Sequence, residues 1–138
     1  MRETYRNTVE EQVVRAKLSG CSVIISEDSN PKLGPSWIKN DPHSISENGK
    51  LLAKTIERQG LVIINNACTG GPITRKRILK GKVEESCIDF ILTSEDISKS
   101  LTDAFIDKEQ LYTLTKFSTT KGIPSIKRAD HYTIIANF

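Results

Sequence analysis

Apolar positions along this chain alternate between helical stripes and short β-branched runs, an order that predicts a layered α/β fold. Over residues 4–19, Val9, Val13 and Val14 share a helical face, Thr8 and Glu11 form a capping-box pair, and Gly20 supplies the stop. Residues 21–26, with Val23, Ile24 and Ile25 in succession, read as a short buried strand. A polar loop over 31–47 carries Trp37 and a His43 expected to be merely solvated. Leu51, Leu52, Thr55 and Ile56 mark a second helix, roughly 48–59, with Gly60 as its C-cap. Residues 61–64 are uninterrupted by polar groups, as expected for a strand covered on both faces.

Further along, 73–79 is predicted to pair with 84–92 as a hairpin through Lys80-Gly81. The run Ser86-Cys87-Ile88-Asp89-Phe90-Ile91-Leu92 is strand-like with a carboxylate in its middle, so Asp89 should have a fixed partner. Another strand is expected near 101–106. The segment 107–125 reads as a loop with one edge strand around Leu111-Tyr112, and 132–136 as a final strand.

Composition narrows the class. The chain has 138 residues, 37% apolar and 27% charged, which suits one polar globular domain or part of one. A net charge of +3 permits a phosphate-bearing partner without requiring it. No apolar run approaches the roughly 20 residues of a membrane span, and the N-terminus lacks a signal peptide's apolar core. The three cysteines, Cys21, Cys68 and Cys87, lack zinc-site spacing and predict an intracellular, disulfide-free chain, nuclear or cytoplasmic.

The chemistry concentrates where apolar strands meet polar residues. Asp28 and Asn30 follow the first strand two residues apart and would share one side if the extended geometry continued. In an open α/β sheet, ligands bind at such strand ends. The same Asp-Ser-Asn-Pro run also suits an ordinary turn. With Asp89, Asp130 and His131 it supplies what metal-assisted phosphodiester hydrolysis needs. Carboxylates hold a hard divalent cation or orient water, an amide can bond phosphoryl oxygens, and a carboxylate-held imidazole donates or relays a proton.

In that order these residues resemble the endonuclease/exonuclease/phosphatase superfamily, which includes DNase I and exonuclease III. More closely, Glu27-Asp28-Ser29-Asn30-Pro31-Lys32-Leu33-Gly34, with Asn48-Gly49-Lys50-Leu51-Leu52 downstream, is similar to the reverse transcriptase-linked endonucleases of non-LTR retrotransposons. Ser86-Cys87-Ile88-Asp89-Phe90-Ile91-Leu92 and Ala129-Asp130-His131 complete the pattern. The resemblance implies a DNase I-like two-sheet α/β sandwich and an Mg²⁺- or Mn²⁺-dependent DNA endonuclease. It assigns Asp28 to the water, Asn30 to the scissile phosphate, Asp130 to the metal, and His131 to the transition state with Asp89 holding its ring. Thr74 matches a threonine of less defined role. Arg75, Lys76 and Arg77, with Lys80 and Lys82 beyond, form a basic run suited to a nucleic-acid backbone or to a solvated hairpin.

The departures are as informative. The family domain is about twice this length, and its metal-binding Glu lies in an N-terminal half that this sequence does not show before Asp28. Glu3, Glu10 and Glu11 are not at the end of an apolar strand, so the chain reads as the C-terminal half. Glu27 replaces a Gly and should repel substrate, or serve as a substitute ligand, while Ser29 replaces an aromatic, Pro31 an Ala, and Ala129 a Ser. Alternative expectations are therefore a catalytically silent remnant that binds nucleic acid or a partner, and a phosphatase of the same superfamily. A half-sandwich should also self-associate or pair with its missing half.

Overall fold

The computed structural model describes residues 3–28, 30–112, 116–120, 122–127 and 129–138. The Ser29 substitution and parts of the 107–125 segment lie outside the described residues. The elements in chain order are α1 (Glu3–Leu18), β1 (Ile24–Glu27), α2 (Glu47–Gln59), β2 (Val62–Ile63), a 3-10 turn (Ile64–Ala67), β3 (Arg75–Leu79), β4 (Lys82–Ser86), β5 (Phe90–Thr93), α3 (Glu95–Lys99), β6 (Asp103–Asp107), β7 (Lys116–Thr120), β8 (Ile123–Lys127) and β9 (Thr133–Asn137). They form a mixed α/β fold with a three-stranded sheet in the order β1-β5-β2 and three two-stranded pairs, β3-β4, β6-β9 and β7-β8.

Every named strand pair is antiparallel. The rule that places ligands at the carboxyl ends of parallel strands therefore does not explain the position of Asp28. The core lies between helices and central sheet: Val13 of α1 and Leu52 and Ile56 of α2 are buried with Ile63, Phe90 and Leu92. The segment between β1 and α2 joins this core, with Leu33 and Ile38 fully buried.

Helix α1 begins before the expected cap. Thr8 is inside it, its hydroxyl donating to the Thr4 carbonyl at 3.0 Å, so the Thr8/Glu11 capping box does not form. The acidic side chain that matters is Glu10, which accepts from the Thr55 hydroxyl at 2.9 Å and lies 3.8 Å from Arg58, tying α1 to α2. Helix α2 is capped by Ser46, whose hydroxyl accepts from Gly49 N, and ends at Gly60 in the left-handed region. His43 is not simply solvated: its Nε2 lies 2.7 Å from the Glu85 carbonyl and ties the loop to β4.

Three strand expectations change. Residue 64 starts a 3-10 turn instead of ending a strand. The run 86–92 is not one strand: β4 ends at Ser86, three residues cross over, and β5 begins at Phe90 in a different sheet. Leu111 and Tyr112 are not in a strand, and β7 and β8 form a further hairpin within the segment read as loop. The β3-β4 hairpin turns through Lys80 and Gly81 at φ 49° and 74°, the left-handed pair that a two-residue connection matching strand twist requires.

Gly49 fixes how α2 meets the chain after β1. A Cβ there would lie 1.9 Å from the Lys32 carbonyl oxygen, which itself accepts from Ser46 N at 2.9 Å. Gly81 faces open space and needs only its backbone conformation. Urea unfolding should show Gly49→Ala losing about 3 kcal/mol or more, because backbone must move. Gly81→Ala should lose only about 1 kcal/mol. Equal losses would contradict this docking of α2.

Candidate active site

The site is built on the crossing between β4 and β5. Thr74, fully buried, donates its backbone N–H to Ser86 and accepts from Ile88 N and Asp89 N on its hydroxyl oxygen at 3.1 and 3.2 Å. A side chain thus replaces the strand ladder where the chain changes sheets. Asn65, also buried, does the same one step later: its Nδ2 donates to the Asp89 carbonyl at 2.8 Å and its Oδ1 accepts from Ile91 N at 3.0 Å. The Thr74 carbonyl accepts from Tyr132 N, and Lys76 N donates to the Asp130 carbonyl at 2.8 Å. Arg75 bridges antiparallel to His131. The start of β3 therefore holds both the Asp89 crossing and the Asp130-His131 segment.

Strand register brings in Asp28. The β1-β5 ladder ends at Glu27 opposite Phe90, and one further step in that register sets Asp28 opposite Asp89. Asp28, Asp89 and His131 offer ligand atoms all within 4.8 Å of one another. His131 Nδ1 lies 2.9 and 3.2 Å from the two Asp89 oxygens. A carboxylate only accepts, so Nδ1 carries the proton and Nε2 faces away from the pair. Burial raises the Asp89 carboxyl above the ordinary range, against the opposing hydrogen bonds from His131 and Thr74, and the Asp28 charge adds to the rise.

Asn30 stands apart. Its φ of 57° breaks the extended geometry, so alternation does not align it with Asp28, and no hydrogen bond joins it to the cluster among the described residues. Asp130 is beside the cluster and engaged: Arg75 Nε donates to its Oδ2 at 3.0 Å, and its Oδ1 lies 3.8 Å from His131 Nε2. Partial burial pushes the Asp130 carboxyl up, but the hydrogen bond and charge of Arg75, with His131, outweigh it and hold it below the usual range.

The basic run is paired as well. Arg77 donates to Glu84 at 2.7 Å and Lys76 lies 3.7 Å from Glu85 across the hairpin, so these cations are matched by carboxylates. Glu27 is neither beside the cluster nor a substitute ligand. Alternation along β1 turns it to the opposite face from Asp28, where it is buried in a hollow shared with Arg6, Val9, Leu52 and Thr55. Sequence reasoning missed Asn65; a polar residue directly after the apolar run 61–64 was the available signal.

The described strands thus form antiparallel sheets in a mixed α/β fold, with an Asp–His pair beside the end of the three-stranded sheet. No family model matches the sequence, and a search of curated proteins finds no match. Among solved structures, the chain is similar to the endonuclease domain of TRAS1, a telomere-specific non-LTR retrotransposon, with a TM-score of 0.63 and 21% identity over 95% of this chain. The match covers 50% of that chain, so this sequence spans about half of its length. The likeness shows the fold.

Thr74 should be the residue on which the crossing depends. Thr74→Val leaves two buried N–H groups without an acceptor and should cost about 2 kcal/mol, while Thr74→Ser should restore most of it. Neighbouring Cys87 is fully buried, its thiol pushed up to about 12 by burial and then by the Asp41 and Asp89 charges. In native protein a thiol reagent should label exposed Cys21 rapidly and Cys87 only through opening. The valine variant should speed Cys87 labelling by about 30-fold, the equivalent of 2 kcal/mol. Unchanged labelling would detach Thr74 from this role.

Proposed function

We propose that this chain carries the phosphate-hydrolysing centre of a metal-dependent DNA endonuclease of the retrotransposon type. The observation that carries the reading is the convergence of Asp28, Asp89 and His131, with Asp89 holding the imidazole. Asp28, exposed at the strand end, would accept a proton from the attacking water. His131, its Nδ1–H fixed by Asp89, would in its doubly protonated form donate Nε2–H to a phosphoryl oxygen and stabilise the charge developing there. Asn30, next along the chain after this strand end, would contact the scissile phosphate. Thr74 acts one step back, by holding Asp89.

The carboxylates of the cluster are oxygen donors suited to a hard divalent cation such as Mg²⁺ or Mn²⁺, with the His131 ring left for the phosphate. Asp130, paired with Arg75, would complete the set from the side. A bound cation would supply Lewis-acid stabilisation of the phosphoryl oxygens. The half-length match, and the outer edges of β1 and β2, each paired only with β5 among the described residues, support pairing with a polypeptide that supplies the rest of the sandwich, or with a second copy. A strictly monomeric sample with one sharp, concentration-independent unfolding transition would count against that pairing.

A second reading, nucleic-acid binding without turnover, is favoured by Arg75, which neutralises the carboxylate that the resemblance assigns to the metal. Nicking of supercoiled plasmid separates the two. With Mg²⁺ or Mn²⁺, nicking should proceed, stop with chelator, and fall by roughly 100-fold or more in His131→Ala and Asp28→Asn. Folded protein that shifts DNA in a gel but never nicks it would establish the second reading. Nicking unaffected by either variant would remove the first.

A further inference from the structure

A second polar and apolar surface lies against the same segment of chain. We infer that the turn from Lys108 to Tyr112, together with Gly70 and Gly71, is a contact site for a nucleic-acid strand, taking a backbone phosphate at Lys108 and an unpaired base on Tyr112. This rests on the nucleic-acid reading above and deepens it.

The turn is held rigidly in order to expose its apolar end. The Asp107 carboxylate, buried at the end of β6, accepts from Leu111 N at 3.0 Å and Tyr112 N at 2.8 Å. Two backbone donors closed on one buried carboxylate leave the turn little freedom. Yet Leu111 and Tyr112 are 73% and 66% exposed, and the Tyr112 ring leans on Phe105 with centroids 6.4 Å apart and planes tilted by 59°. A supported, outward-facing aromatic is a stacking platform, tolerant of any base because every base offers a π-face.

Beside it are the phosphate donors. Gly70 and Gly71 take φ 94° and 84°, and among the described residues no hydrogen bond uses either N–H. A Cβ built on Gly71 would lie 3.7 Å from Lys108 Nζ, so the exposed Lys108 side chain lies alongside these two glycines. Backbone N–H groups and a lysine are what a phosphate diester takes from a protein without base reading. Glu109 is also exposed at this rim, which sets an upper limit on the attraction. The surface is tied to the reaction segment: Gln110 Nε2 donates to the Ala129 carbonyl at 2.8 Å, directly before Asp130 and His131.

The test is binding, measured by fluorescence anisotropy of labelled single-stranded and duplex oligonucleotides in chelator, so that turnover plays no part. Tyr112→Ala should weaken single-strand binding about tenfold, and duplex binding less. Lys108→Gln should weaken both and reduce the slope of log affinity against log salt by about one. Thermal unfolding of each variant checks folding, and Tyr112→Phe, which keeps the ring, should bind as the unsubstituted chain does. Unsubstituted protein that binds DNA equally well with and without these substitutions would overturn the inference and leave the nuclease reading standing. Protein that binds no DNA at all would overturn both. Loss of self-association in Tyr112→Ala, with DNA affinity unchanged, would assign the surface to a second copy of the chain and overturn it too.

Discussion

A carboxylate half-buried at a change of sheet is the constraint on which this structure turns. Asp89 sits where the ladder of one sheet has ended and that of the next has not begun, so its own backbone has no strand partner. Thr74 and Asn65 fill that gap with side-chain hydrogen bonds to the backbone at Ile88, Asp89 and Ile91. The carboxylate itself would be costly to bury alone, and His131 meets it at 2.9 Å. The same few bonds therefore solve a folding problem and aim an imidazole. This links the hairpin, the central sheet and the last strand through one residue. It also means that substitutions at Thr74 or Asn65 act on chemistry only through stability and ring position.

How much of this was legible in the sequence depends on the range of the signal. Local signals read well: the apolar stripes gave both long helices, Gly60 marked its helix end, and Lys80-Gly81 marked a two-residue turn. The run 86–92 misled because period and composition continue unbroken through it. What divides it is Thr74, twelve residues before Ser86 in the chain, whose hydroxyl replaces the ladder; no local pattern carries that. β7 and β8 were missed because their residues are polar, so the alternation that marks a half-buried strand is weak. Asp28 was read correctly as a strand-end carboxylate, but for a parallel-sheet reason. Its neighbourhood to Asp89 follows from antiparallel register.

Glu27 shows how a substitution can mislead when its face is unknown. One residue from Asp28, a second carboxylate suggests repulsion of a phosphate. Strand alternation instead carries it under the helices, into a hollow lined also by the buried Arg6. The Arg6 guanidinium is matched on its own helix, by Glu3 at 3.3 Å and Glu10 at 4.0 Å, so what Glu27 shares with it is the hollow. The β1 end from which Asp28 projects is held by its ladder with β5. A change that looked like damage to a site is a packing change behind it.

Charge pairing sets how such a chain would meet DNA. The hairpin that looked cationic in sequence is largely neutralised in the fold, since Arg75, Arg77 and Lys76 each have a carboxylate within 4.0 Å. Breaking an exposed pair is not costly, so a phosphate could still compete for these cations, but each exchange gains little. Long-range attraction then rests on the net charge of +3 and on exposed lysines such as Lys80 and Lys108 at turns and Lys82 at the start of β4. With few counterions to release, binding would depend only weakly on salt and would need contacts other than charge. On the nucleic-acid reading, the contacts left to it are the exposed Tyr112 ring and the Lys108 turn, which Gln110 joins to the Ala129 carbonyl.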